Sequence, residues 1–245
     1  MPTFDTAKNV LNDAALGLGL TSSALTDPYA STDPNVVQLR VMLTEFGQDL
    51  LRQHSWTHLQ TTHTFVTVDG TATYALPGDF DRLLDQTGWD RTQQFPLAGP
   101  INAQGWQLLQ AQSVGSVVDA WFRIANNLVN IYPTPGATVR TLAFEYVSKY
   151  WVAATAAPTT RVKETPSIES DVCFFDRRLL ITGLRLAFLE AKGFDTGAAS
   201  QKYSDALEAA KGGDGAAPVL SLNGPRPRTT RYLDAANIPE TGYGS

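Results

Sequence analysis

Apolar residues near the start of the chain recur at helical spacing. Val10, Leu11, Ala14, Ala15 and Leu18 fall on one face of a helix that Asp5 or Thr6 would cap and that Gly17 and Gly19 would stop. A loop rich in Ser, Thr, Asp and Pro follows over 21–33 and ends in Asp33-Pro34, a strong helix start. The carboxylate can accept from free N–H groups, and proline at the first helical position gives up no hydrogen bond. From there Val36, Leu39, Leu43, Phe46 and Leu50 continue a stripe to about His54, and Val37, Met42 and Leu51 widen it, so this helix is expected to pack on two surfaces.

The period then changes. Two apolar-polar alternations, 64–68 and 71–76, flank Asp69-Gly70, a pair that tolerates positive φ, which predicts an antiparallel hairpin. A further strand is predicted over 83–89, and a short helix over 101–112 with Trp106, Leu108 and Leu109 on its inner side. Residues 120–124 and 128–132 bracket Ala125-Asn126-Asn127 as a second hairpin, and Leu142, Phe144 and Tyr146 alternate within a strand over 141–151. Strands this short and this closely spaced imply a small antiparallel sandwich or barrel.

Helical spacing returns over 167–192, where Val172, Phe175, Leu179, Leu186 and Leu189 line one side and Leu180, Leu184, Phe188 and Ala191 the next. A last helix, poorer in large apolar residues, is predicted over 198–211 and should pair with it. Beyond it, glycines and prolines forbid long regular structure, yet Leu220, Leu222, Tyr232, Leu233, Ile238 and Tyr243 are spaced apolar anchors, with Arg226, Arg228 and Arg231 among them. That is the composition of an extended arm that docks on a partner. The predicted fold class is therefore α+β: a helical bundle from residues 1–60 and 153–211, an antiparallel β domain with a short helix at 61–152 inserted into it, and a docking arm at 212–245.

Composition narrows the function. A chain of 245 residues with 43% hydrophobic content can bury a sizeable core, and its single cysteine, Cys173, cannot form an intrachain disulfide. No signal peptide and no membrane span is expected, since even the stretch 179–189 is broken by Thr182, Gly183 and Arg185. A net charge of −5 gives no reason to hold a phosphate backbone tightly.

Candidate chemistry is sparse. His54 and His58 stand four apart, with His63 beyond, but without the acidic residue or further ligands of a zinc hydrolase, so neither a metal nor a cofactor is expected. Cys173 reads as a small buried hydrophobe rather than a nucleophile. Asp79, Asp81 and Asp85 read as turn residues, although paired carboxylates of that kind are the one motive for a cell-wall hydrolase. Trp56, Trp89, Trp106, Trp121 and Trp151 fall in or beside the predicted strands and are expected to pack a β core; exposed instead, they would serve a carbohydrate-binding module.

An ordered string of motifs carries further information. It runs from Gly47-Gln48-Asp49-Leu50 and Trp56 through Tyr74-Ala75-Leu76-Pro77-Gly78-Asp79-Phe80, Trp89, Pro96-Leu97-Ala98-Gly99-Pro100, Trp106 and Phe122-Arg123-Ile124 to Ile131-Tyr132-Pro133-Thr134-Pro135 and Phe144-Glu145-Tyr146-Val147-Ser148. In order and spacing it resembles the head-to-tail adaptor proteins of tailed phages, most closely the tail tubular protein A type of short-tailed phages. The resemblance implies a non-enzymatic virion protein, made in the host cytoplasm, that assembles as a homo-oligomeric, dodecameric ring between the portal protein and the tail nozzle. Helices would build the ring, the β domain would face outward or toward tail fibres, and DNA would pass through the lumen without specific binding. The C-terminal arm would dock on the portal or a neighbouring ring.

Overall fold

The computed structural model describes residues 4–112, 120–154 and 161–215. Its elements are β1 (Asp5–Thr6), α1 (Ala7–Gly17), α2 (Pro34–Gln53), a turn of 3-10 helix (Thr57–Leu59), β2 (Gln60–Val66), β3 (Thr73–Ala75), β4 (Phe80–Leu83), β5 (Trp89–Asp90), β6 (Phe95–Pro96), α3 (Ala103–Gln112), β7 (Trp121–Ala125), β8 (Leu128–Tyr132), β9 (Thr141–Ser148), β10 (Val152–Ala153), β11 (Arg161–Lys163), β12 (Val172–Cys173), α4 (Arg177–Lys192) and α5 (Gly197–Asp214). Residues Met1–Gly215 form one compact unit, and 216–245 lie outside the described residues.

The predicted class, a helical bundle carrying an inserted sandwich, is not what forms. Among the described residues five helices accompany three antiparallel sheets, and the helices pack on strands instead of forming a self-contained bundle. The helices cannot bury their stripes on one another alone. Leu39, Leu43 and Leu50 of α2, and Leu179, Leu180 and Leu184 of α4, share a core with Trp151, Val152, Cys173 and Phe175, which lie in or beside a four-stranded sheet ordered β1-β12-β10-β11. That sheet draws its strands from both ends of the folded unit.

One close approach fixes this arrangement. The Trp151 ring is fully buried and lies against α2 at Gly47, where a Cβ would overlap it. Gly183 of α4 is similarly bare beneath the Phe46 ring, which lets α2 and α4 come together. Interiors are packed too densely to absorb such overlaps without displacement.

A second core lies between the other two sheets. The five-stranded sheet runs β2-β9-β5-β6, with β4 also paired to β9, and the three-stranded sheet runs β3-β8-β7. Phe122, Val129 and Ile131 of the smaller sheet meet Leu142, Phe144 and Tyr146 of β9, a sandwich-like packing of alternate residues.

Local signals hold where the partner is local. Thr6 accepts from the Asn9 N–H at the start of α1, and Asp33 from the Asn35 N–H at the start of α2. Asn126 and Asn127 both take positive φ, 53° and 60°, in the two-residue turn joining β7 to β8. Other expectations are corrected. Gly70 does turn, at φ 71°, but β2 pairs with β9 and β3 with β8, so the predicted hairpin is two strands of different sheets. The strand predicted over 83–89 splits into β4 and β5, which pair with successive stretches of β9. In α3, Trp106 is buried but Leu108 is 56% exposed.

The helix predicted from 167 begins only at Arg177, capped by Asp176. Ahead of it, fully buried Asp171 accepts from the Ser167 and Ile168 N–H groups at 2.7 and 3.1 Å and from Lys163 Nζ at 2.8 Å, closing a turn that feeds β12. Burial pushes the Asp171 carboxyl up, but these donors outweigh it and hold it below the usual carboxylate value. The last helix runs three residues past its predicted end, to Asp214.

Replacing Gly47 by alanine forces the Trp151 ring out of its seat. We expect Gly47→Ala to lower stability by about 1–3 kcal/mol, as overpacked cores do. A thermal melt followed by circular dichroism checks this, and an unchanged midpoint would show that the two elements yield freely.

Candidate functional site

The nine residues predicted to dock on a partner, Leu220, Leu222, Arg226, Arg228, Arg231, Tyr232, Leu233, Ile238 and Tyr243, all lie outside the described residues. What the structure shows is the root of the segment that bears them. It is Asp214, the last residue of α5, whose side chain is only 3% exposed.

Four donors converge on the Asp214 carboxylate. Thr57 gives its backbone N–H at 2.9 Å and its hydroxyl at 2.7 Å, while His54 Nε2 and His58 Nδ1 stand at 3.2 and 3.3 Å. The sequence around α2 explains why these groups meet. His54 ends the helix in an extended conformation, Trp56 turns inward and donates from its indole to the Leu50 carbonyl at 2.8 Å, and Thr57 opens the 3-10 turn. His58 then lies among the rings of Phe4, Trp56 and Phe175. Because Asp214 can only accept, the His58 Nδ1 must carry a proton in this contact.

The carbonyls of the same crossover are taken up by two arginines. Arg82 donates to the Leu51 and His54 carbonyls, both at 2.9 Å, and Arg161 donates to the His58 carbonyl and, at 2.9 Å, to Thr61 Oγ1. Residues 51–61 are thus gripped from β4, from β11 and from the end of α5. Nothing in the sequence foretold this: Asp214 sits beside two glycines, more than 150 residues from its partners.

Electrostatics make the junction sensitive to acid. Burial raises the Asp214 carboxyl, but hydrogen bonds from Thr57 and the charge and hydrogen bond of His58 prevail and hold it below the ordinary range. Burial pushes His58 the other way from Asp214's pull and wins, so its pKa is lowered, as is that of His63, which stacks on Phe65 and packs against Phe144.

The remaining candidates are separated. Asp79 accepts from the Tyr146 hydroxyl at 2.8 Å and from Ser148 at 2.6 Å, Asp81 pairs with Arg82, and Asp85 is exposed, so the three carboxylates do not face one another across a cleft. Cys173 lies in a strand rather than a helix, fully buried, and burial drives its thiol pKa up. Among the described residues no group of three or more His, Cys, Asp or Glu is placed to hold a metal, and no helix is long and apolar enough to cross a membrane. The tryptophans divide: Trp56 and Trp151 pack the helical core rather than the sandwich, whereas Trp89 is 48% exposed. Trp89 borders a groove of about 350 Å³ with Thr62, Thr87, Arg91, Gln94 and Glu145.

Removing the Asp214 carboxylate strands several donors. Asp214→Ala should cost about 1–3 kcal/mol and speed amide exchange in the last turn of α5; unchanged exchange there would contradict the anchoring. The pH response has two windows. A histidine held below its unfolded value gives stability that falls as pH drops below about 6.5, because the unfolded chain takes up the proton first. A carboxylate held low gives stability present above about pH 4 and lost as pH falls through its folded value. The melting midpoint should therefore decline between pH 7 and 5, less steeply in His58→Gln, and decline again below about pH 4.

No curated protein sequence matches the chain. A family model does match, that of the SU10 adaptor protein, over residues 6–226, which takes in the whole described unit from the start of α1 onward and Leu220, Leu222 and Arg226 beyond it. That span is most of the chain, which therefore belongs to the SU10 adaptor protein family, a family of phage structural adaptors.

Proposed function

We propose that the protein is a head-to-tail connector of the tail tubular protein A type. Copies of it form a dodecameric ring in the virion neck, between the portal protein and the tail nozzle, and DNA passes through the lumen. The observation that carries this reading is the family match over residues 6–226. It agrees with a chain in which the carboxylates of Asp79, Asp171 and Asp214 each serve as structural acceptors. The role is mechanical and not catalytic. A net charge of −5 suits a conduit that DNA must slide through without sticking.

The arm beyond Gly215 is the docking element in this reading. Asp214 fixes the point from which it leaves, so the arm's reach starts from a defined place rather than from a frayed helix end. Leu220, Leu222, Tyr232, Leu233, Ile238 and Tyr243 supply apolar anchors, and Arg226, Arg228 and Arg231 pair with acidic groups of the portal. Deleting 216–245 leaves Asp214 in place and should keep the melting midpoint within about a degree while abolishing co-sedimentation with the portal ring. Attachment that survives the deletion would remove the arm from the docking role.

One observation favours a second reading, a carbohydrate-binding module: the half-exposed Trp89 ring beside polar side chains, an arrangement on which a sugar can stack. Titration with bacterial surface oligosaccharides, read by tryptophan fluorescence in the protein and in Trp89→Ala, separates the two. The connector reading expects no saturable, Trp89-dependent change, and the module reading requires one.

A further inference from the structure

The folded unit carries two unlike faces that point away from each other. On α2, Phe46 packs over Gly183 of α4. At about 100° per residue, Val41 stands about 140° around α2 from that contact. Val37 and Val41 are exposed there, 37% and 53%, beside Tyr29, Thr44 and Pro166, and exposed Glu45 and Asp49 continue the stripe. Of the cations of α2 near this ridge, Arg40 is withdrawn, donating to the Tyr29 carbonyl at 2.6 Å and lying over the Tyr29 ring, while exposed Arg52 follows Asp49 at the end of the stripe.

On α4, Arg178 stands about 140° from Gly183 in its turn. It lines a groove of about 540 Å³ with Ile181, Thr182, Arg185 and, from α5, Lys202. One face is thus an apolar ridge running into carboxylates, and the other a groove lined by Ile181 and Thr182, by the cations Arg177, Arg178, Arg185 and Lys202, and by the single acidic residue Asp176.

We infer that these faces are the two halves of the contact between copies: the Val37–Val41 ridge of one subunit seats in the α4–α5 groove of the next, with Glu45 and Asp49 toward Arg178 and Lys202. The inference rests on the connector reading and gives its ring a contact. Charge complementarity selects a second copy of this chain as the occupant, and like faces repel, so the packing is head-to-tail. A head-to-tail contact closes into a ring when its rotation divides the circle.

The test uses the full chain, alone and with the portal ring. Glu45→Lys with Asp49→Lys, or Arg178→Glu with Lys202→Glu, should each weaken self-association about 10-fold or more, as reversed charge pairs do. Both pairs in one chain should restore it, and an equimolar mixture of the two face variants should also assemble in sedimentation velocity, in alternation, since each variant meets complementary charge only on the other. Val41→Cys with Ile181→Cys provides a readout independent of charge, since native Cys173 is buried: mild oxidation should give intermolecular disulfide ladders. Assemblies of unaltered mass in both reversal variants, without cross-links, would overturn these faces and leave the ring standing. A chain that stays monomeric at every concentration and on the portal would overturn both.

Discussion

The structure depends on the crossover between α2 and β2. Its backbone leaves a helix, makes a single 3-10 turn and enters a sheet, so its polar groups have no regular partners of their own. Buried backbone groups left unpaired cost more than their pairing returns. Arg82 and Arg161 satisfy the carbonyls, and Asp214 satisfies the Thr57 N–H. Because the three side chains come from β4, β11 and α5, satisfying this one segment also locks the sandwich to the helices and fixes the end of the last helix.

The same logic explains why the helices do not stand as a bundle. Gly47 admits Trp151, and Gly183 admits Phe46, so α2 is held against the segment leading into β10 on one side and against α4 on the other. A two-sided apolar stripe such as that of α2 is legible in sequence, but whether its second side meets a helix, a strand or another molecule is not. Trp151, just ahead of β10, and Cys173 of β12 took up surface that periodicity alone would assign to a helical partner.

What was legible was local. Caps at Thr6 and Asp33 and the turn at Asn126-Asn127 depend on groups a few residues apart, and the chain spells them out. What failed was non-local. Asp69-Gly70 is a real turn, yet β2 pairs with β9, a register that sets His63 and Phe65 against Phe144. The residues 167–173 show helical spacing, but the Asp171 carboxylate and the pairing of β12 with β1 and β10 won over it. Asp214 gave no signal at all, since its chemistry exists only after distant segments meet. The likeness to phage adaptors, by contrast, was readable from the order of motifs between Gly47 and Ser148, before any pairing was known.

In the proposed connector two tasks are separated: the folded unit sets geometry, and the segment beyond Gly215 supplies the docking contacts. The native mass of the complex formed when the full chain is mixed with its phage's portal ring tests this account most directly. It predicts a closed assembly with one adaptor copy for each portal subunit. Portal rings of unchanged mass, with the protein left over as monomer, would contradict it.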